Sequence, residues 1–413
     1  MVPKSDFFTS ENLHPEWSFL GLTAKNKASL TERPGWLRLT PKSSIKPNTV
    51  IKNDGEHNYS LVTRFEFSPK AVKDEAGLQI MRGDETKFCK LYSAITAAGI
   101  RTISFTFDNT KYEAENNVGD TLWLKMVRIN HRISGYYSSD GTLWAQVGQA
   151  IDISVIDSYS DFSTWAGTRQ GLYVAGSQPA YFDLYIYRDA FTPILAECPA
   201  NQFGTTRTAL NAGVRNLDNI HNNDWALYAG VEFGNGEYYA TPDSVEFTAS
   251  SATIGGVVEV WLDSIDTGNK IASCNITNTG KWTEFKTFKT KVSSVSGRHD
   301  VYLKFVGTSS DKLFQLKWFG FTRKSDHTST LAAIVSEKKL MLFPNPTRNQ
   351  LSVQSGDAFE TVEIVDLSGR TVFQEHFNEA VHQTTLKIDL KKGVYFLKVG
   401  NGKENQFSRL VVE

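Results

Sequence analysis

Cysteine is scarce in this chain: Cys89, Cys198 and Cys274 are the only three among 413 residues. They are too few and too scattered for a disulfide framework or a paired-cysteine metal site. They read as small buried hydrophobes. One pair, Cys198 with Cys274, stays open as a bridge if the chain matures in an oxidising compartment. An excess of one charge is also missing, since 44 Lys and Arg stand against 45 Asp and Glu. No global field therefore draws the chain to DNA, RNA or an anionic membrane, and nucleic acid is not an expected partner. No run approaches the roughly 20 apolar residues of a membrane-spanning helix. Nor does Met1-Val2-Pro3-Lys4 open into the basic and apolar regions of an export signal.

What the chain does have is aromatic residues, 12% of the total, within a hydrophobic content of 40%. That is enough to bury sizeable cores, and the length suits several domains rather than one. The patterned segments alternate with period two, as in Ser60-Leu61-Val62-Thr63-Arg64-Phe65-Glu66-Phe67 and Leu122 to Arg128. Clusters such as Ser138-Ser139-Asp140-Gly141 and Phe233-Gly234-Asn235-Gly236 punctuate them as tight turns. Short strands at such spacing predict antiparallel sandwiches. Only Lys70 to Ala76 has any helical look, and it reads equally as a turn.

Two composition shifts divide the chain. Alternating Ala180 to Tyr187 closes one module ahead of Asp189-Ala190-Phe191-Thr192-Pro193, and the Ser-, Thr- and Lys-rich stretch after Lys324 cannot bury enough surface to fold. The expected organisation is a sandwich at 1–192, a second at 193–324, a linker at 325–339 and a small domain at 340–413. The fold class is therefore all-β: two sandwiches in series and a smaller third.

The first module predicts about twelve strands around a Gly- and Tyr-rich interior. Its segments Asp6-Phe7-Phe8, Leu13-His14-Pro15-Glu16-Trp17-Ser18-Phe19, Leu30 to Leu39, Glu75 to Ile80, Tyr136 to Trp144 and Arg169 to Val174 resemble the C-terminal concanavalin-A-like domain of family 43 glycoside hydrolases. In that family the domain packs on a five-bladed propeller that holds the catalytic carboxylates. The resemblance places such a catalytic domain before residue 1. Nothing in these residues replaces it. Asp74, Glu75, Asp84 and Glu85 are acids of a solvated loop face rather than a recognisable pair across one cleft, so no catalytic residue is assigned.

In the second module, Val258, Val260 and Leu262 alternate with Glu259, Trp261 and Asp263. A tryptophan on the polar side of a strand is either a platform for a pyranose ring, flanked by carboxylates that accept hydroxyl hydrogen bonds, or a side chain covered by a loop. Asn222 to Tyr228, Glu259 to Ser264, Thr279-Gly280-Lys281-Trp282, Ser296 to Phe305 and Leu313 to Phe319 resemble carbohydrate-binding module family 6, a jelly-roll sandwich. The resemblance implies a loop-edge site of two aromatics and an asparagine, and in some members a second site on the concave sheet. The edge platform falls on Trp282. The other aromatic position reads Asn219 and the asparagine position reads Gln315, with Phe285 or His221 as stand-ins. Trp261 and Glu259 are the concave-face candidates. Trp225 and Trp318 sit in apolar contexts and read as packing. The family's structural calcium would use Glu197, but the last-strand acid is Lys317, and an ammonium does not ligate a hard cation. No cofactor is otherwise expected.

The C-terminal segment runs from Leu340-Met341-Leu342-Phe343-Pro344-Asn345-Pro346 through Val362 to Arg370 and Lys392 to Val399, ending Ser408-Arg409-Leu410-Val411-Val412-Glu413. It resembles the type A sorting domain of the type IX secretion system of Bacteroidetes. The resemblance implies an Ig-like sandwich, the type IX machinery as a partner, and a secreted or cell-surface location reached through the outer membrane. Such cargo needs an export signal, so residue 1 is expected not to be the natural start. The function this favours is plant-polysaccharide binding, xylan or arabinoxylan, by the accessory region of a family 43 glycosidase. The alternatives are a glycosidase active in its own right and a protein-binding adhesin.

Overall fold

The computed structural model describes residues 2–20, 27–43, 47–54, 56–83, 85–157, 167–209, 215–235, 241–323, 340–343, 347–366, 369–400 and 405–412. The expected linker at 325–339 lies outside them, as does Asp84. Among the described residues the chain is all-β, with no α-helix. It divides into two compact units, Met1–His327 and Thr328–Glu413.

The first unit opens with a two-sheet sandwich. One sheet of seven described strands runs from Ser18–Phe19 through Asn48–Asn53, Arg169–Ala175, Glu75–Met81, Phe88–Ile95 and Arg101–Phe107 to Thr110–Glu115. The other, of eight, is centred on Asn58–Glu66, paired on one side with Thr121–Ile129 and on the other with Ala180–Tyr187. Strands of two residues at the margins, such as Ala28–Ser29 and Ala145–Gln146, explain why the sequence suggested fewer. Inward residues of both sheets, among them Leu61, Phe65, Leu78, Leu91, Phe105 and Leu124, are fully buried between them. Tyr59, Tyr185 and Tyr187 join this core, as the Tyr-rich interior predicts. Lys70–Ala76 is a turn. Asp74 accepts backbone hydrogen bonds from Lys70 and Ala71, both at 2.9 Å, and Glu75 already begins a strand.

A second sandwich follows without a gap. One sheet has strand Gln315–Thr322 near its centre beside Ser244–Ser250, and the other runs Asn201–Phe203, Trp225–Glu232, Arg298–Val306, Gly256–Leu262, Asn269–Ile276. The two modules share a core. Val62, Trp123, Leu184 and Ile186 of the first pack in one cluster with Tyr228, Val231, Phe319 and Phe321 of the second, joined by Ala190 and Phe191 of the connecting segment. That segment is tied down by backbone bonds: Ala190 N donates to Glu232 O at 2.9 Å, Glu232 N to Arg188 O at 2.9 Å, and Phe321 N to Ala190 O at 3.0 Å. The Arg188 guanidinium, itself buried, donates to the Ala229 carbonyl and pairs with Glu56. Ala180–Tyr187 is thus not a half-exposed alternating strand. A register shift between Phe182 and Leu184 turns Tyr185 and Tyr187 to the first core and Leu184 and Ile186 to the shared one. The cysteines are free rather than bridged: Cys274 lies in the shared core, while the Cys198 sulfur accepts from Asn58 Nδ2 of the first module at 3.0 Å.

The second unit is a single connected ladder. Its long strands Gln350–Val365 and Thr371–Lys387 pair with several register shifts, and Gly393–Gly400 and Asn405–Val412 complete the sheet beside Met341–Phe343. Leu351, Val362, Ile364, Leu397 and Leu410 form its core.

Candidate functional site

Strand Gly256–Leu262 buries Val258, Val260 and Leu262 and turns Val257, Glu259 and Trp261 outward, half-buried. Its neighbour Arg298–Val306 does the same with Tyr302 and Lys304, and Trp225–Glu232 with Trp225 and Leu227. Cross-strand register places these side chains on one face. Leu227, Tyr302 and Trp261 form one row; Phe203, Trp225, Lys304 and Glu259 form the next. Directly paired residues point to the same side of a sheet. Four aromatics therefore line this face. Trp225 and Tyr302 lie 6.0 Å apart between ring centroids, Trp261 is next to Tyr302 across the ladder, and Phe203 is 63% exposed at the rim.

Polar groups frame the aromatics. Trp261 Nε1 donates to Glu259 Oε2 at 3.0 Å, and Lys270 Nζ donates to Glu259 Oε1 at 2.9 Å while lying 5.3 Å from the Trp261 centroid. Partial burial alone would raise the Glu259 pKa. The hydrogen bonds from Lys270 and Trp261 and the nearby lysine charges outweigh it and hold the carboxyl below its ordinary value. Lys304 is turned to Asp266 at 2.7 Å.

The loop edge gathers the other candidates. Ser250 Oγ donates to the Trp282 carbonyl at 2.7 Å, Ser250 pairs with Gln315, and Leu313 N bonds to Ile220 O at 2.8 Å, so Asn219, Trp282 and Gln315 come to one end of the sandwich. Asn219 is exposed in a left-handed conformation, φ 54°, which asparagine tolerates. Its Nδ2 donates to Gly204 O at 3.3 Å, and its carbonyl is 2.9 Å from His221 Nδ1. Gln315 is 9% exposed. The Trp282 ring is half-buried beneath Lys312, whose Nζ is 3.7 Å from the centroid and 3.0 Å from Asp218 Oδ1. One face of the expected platform therefore already holds a cation.

The arrangement joins Trp261 to Glu259, as the strand pattern suggests, and adds Trp225, Tyr302 and Phe203. Trp225 is half-buried and outward rather than core, whereas Trp318 is 6% exposed and does pack. The signal was there: Ala226 and Tyr228 occupy the inward positions, which puts Trp225 and Leu227 on the opposite face. Glu197 sits elsewhere, buried, with Oε2 accepting from Arg215 N at 3.1 Å. Burial raises its pKa and the nearest charges are Arg207 and Arg215. Among the described residues Glu197 belongs to no group of three or more His, Cys, Asp or Glu side chains at metal-ligand spacing.

With the geometry in place, three family models match in succession: "Beta xylosidase C-terminal Concanavalin A-like domain" over residues 5–188, "Carbohydrate binding module (family 6)" over 196–323, and "Secretion system C-terminal sorting domain" over 341–413. An arabinoxylan arabinofuranohydrolase of Paenibacillus polymyxa is 33% identical over 138 residues, 32% of this chain and 21% of that protein. A non-reducing end alpha-L-arabinofuranosidase of Bacteroides ovatus is 24% identical over 203 residues, 45% of this chain and 37% of that protein. The chain thus spans about a fifth of the first relative's length and little over a third of the second's. Among solved structures, a family 6 carbohydrate-binding module from Clostridium cellulolyticum in complex with xylose is 37% identical, covering 33% of this chain and 100% of that one, with a TM-score of 0.30. The chain carries, in order, a family 43 glycosidase-type concanavalin-A-like domain, a family 6 carbohydrate-binding module and a type IX secretion sorting domain, which marks it for export to the cell surface or beyond.

Proposed function

We propose that this chain is the accessory region of a family 43 glycoside hydrolase and binds plant cell-wall xylan or arabinoxylan, holding a catalytic domain on that substrate. The observation that carries the reading is the outward sheet face bearing Phe203, Trp225, Tyr302 and Trp261. Aromatic rings stack on the C–H faces of sugar rings, each contact burying apolar area on the order of a kcal/mol. The row Leu227, Tyr302, Trp261 covers two strand spacings, about 10 Å, enough for two sugar residues of an extended chain. Glu259 accepts hydroxyl hydrogen bonds beside it. The names of the arabinoxylan- and xylan-acting relatives point to the glycan class. The shared core makes the two sandwiches one rigid carrier, so glycan held by the second module is fixed relative to the first.

The chain is expected to be retarded in native gels containing soluble arabinoxylan and to release no reducing sugar from it. Unretarded migration would remove the binding function. Sugar release abolished by one carboxylate substitution would make the chain a glycosidase in its own right.

A further inference from the structure

The first module holds a constellation that sugar binding does not use. His57 Nε2 lies 3.6 Å from Asp157 Oδ1, and His131 Nδ1 lies 2.8 Å from Asp157 Oδ2. The three ligand-type atoms all fall within 4.8 Å of one another, with the imidazole centroids 5.6 Å apart. Three separate chain segments supply them. His57 precedes strand Asn58–Glu66, Asp157 ends the 3-10 turn Ser154–Asp157, and His131 follows Asn130 in the two-residue hairpin loop between Thr121–Ile129 and Arg132–Ser138. Asn130 takes φ 53°, which lets the hairpin turn that tightly.

We infer that His57, His131 and Asp157 form a binding site for a divalent transition-metal ion of the zinc class. Two imidazoles and one carboxylate are the donor set such ions take, and the set is unsuited to calcium or magnesium. The spacing agrees. Zinc bonds of about 2.0–2.1 Å in a tetrahedron separate neighbouring donors by roughly 3.3 Å; here His131 Nδ1 lies 2.8 Å from Asp157 Oδ2 and the three ligand atoms lie within 4.8 Å of one another.

The surroundings are built as an outer shell. Arg128, fully buried, donates to Asp157 Oδ1 at 2.5 Å and to Asp54 Oδ2 at 2.5 Å; Thr168 Oγ1 reaches Asp157 Oδ1 at 3.3 Å, and Tyr59 OH donates to Asp54 Oδ2 at 3.0 Å. A ligating carboxylate fixed through its other oxygen is how such sites orient their donors. Arg128 also neutralises part of the charge, so Asp54 and Asp157 together leave this buried set one negative charge when both are ionised. Both imidazoles are about half exposed, 41% and 50%, and give an ion access from solvent.

The site lies beside the junction of the two sandwiches. Glu56 pairs with Arg188, Asn58 Nδ2 donates to Cys198 Sγ, and Asn130 N donates to Asn58 Oδ1 at 3.1 Å. An ion joining His57 to His131 therefore staples the two turns that hold the second module.

The test uses the full, tag-free chain after chelator treatment. Calorimetric titration with Zn2+ is expected to give about one equivalent, Co2+ a visible d–d band, and Zn2+ a rise in melting temperature that Ca2+ and Mg2+ do not produce. His57→Gln and His131→Gln, both at half-exposed positions, should each weaken Zn2+ affinity at least tenfold, with a cooperative metal-free melting transition as the folding control. Absence of stoichiometric binding overturns the site, and so does binding that both variants leave intact.

Discussion

The second module offers two aromatic regions, and they differ in what already occupies the rings. On the sheet face Trp225, Tyr302 and Trp261 spread over three hydrogen-bonded strands, and among the described residues only Trp261 carries a cation, Lys270, which stands 5.3 Å from the ring centroid while bonded to Glu259. At the loop edge a lone indole, Trp282, carries the Lys312 ammonium 3.7 Å above its centroid, and Asp218 anchors that lysine. A cation over an aromatic face is worth about 0.5–1 kcal/mol at a partly exposed site, which a sugar stacking there must displace. An aromatic's availability is decided by the partner that has claimed its π face. Whether it sits in a loop or in a strand is secondary.

The sharpest way to break this comparison is the double substitution Trp225→Ala with Trp261→Ala. Each removed platform forfeits on the order of 1.4 kcal/mol, a factor of ten, so xylo-oligosaccharide affinity should fall about a hundredfold by isothermal titration. Both side chains lie on the outward face, so the melting temperature serves as the folding control. By contrast Trp282→Ala should cost less than about threefold, a smaller loss than a loop-edge platform alone would suggest. A tenfold loss there, with the double variant unaffected, would transfer the site to the edge. Lys312→Ala sharpens the contrast further. It uncovers the indole, and edge affinity should rise by roughly the two- to fivefold that the lost cation contact represents.

How much of this was legible in the residues depends on which partners lie close in the chain. Period-two alternation identified Val258, Val260 and Leu262 as inward and Trp261 as outward, because a strand's faces are set locally. The turn residues at Asp189–Pro193 marked where one module ends. What alternation cannot tell is whether an outward face meets water or another domain. Leu184, Ile186 and Val62 therefore gave no sign of a core shared with Phe319 and Phe321, more than 130 residues away along the sequence. Trp225 was misplaced for the opposite reason. Its apolar neighbours suggested burial, but two of them, Ala226 and Tyr228, take the inward positions and leave Trp225 outside. Lys312 over Trp282 joins two loops, and no spacing rule connects them.

The smallest effect separates the two regions by pH. Glu259 is held below the ordinary carboxylate range of about 4.3 by the hydrogen bonds from Lys270 and Trp261, which outweigh the penalty of its partial burial. A depressed folded-state pKa means the ionised form, with its bonds to both partners, persists through and below pH 5. It is lost only as the pH falls through that lowered value. Sugar affinity at the face should then stay constant within about twofold from pH 8 to pH 5. Glu259→Gln keeps an oxygen acceptor but loses the charge-assisted bond to Lys270. That frees the lysine, already over the Trp261 ring at 5.3 Å, to close onto it as Lys312 does onto Trp282 at 3.7 Å. Affinity should drop by a few-fold at every pH. If wild-type affinity instead falls between pH 7 and pH 6, a histidine governs binding. That outcome would take binding away from the Glu259 pair, and the face would no longer be the binding site.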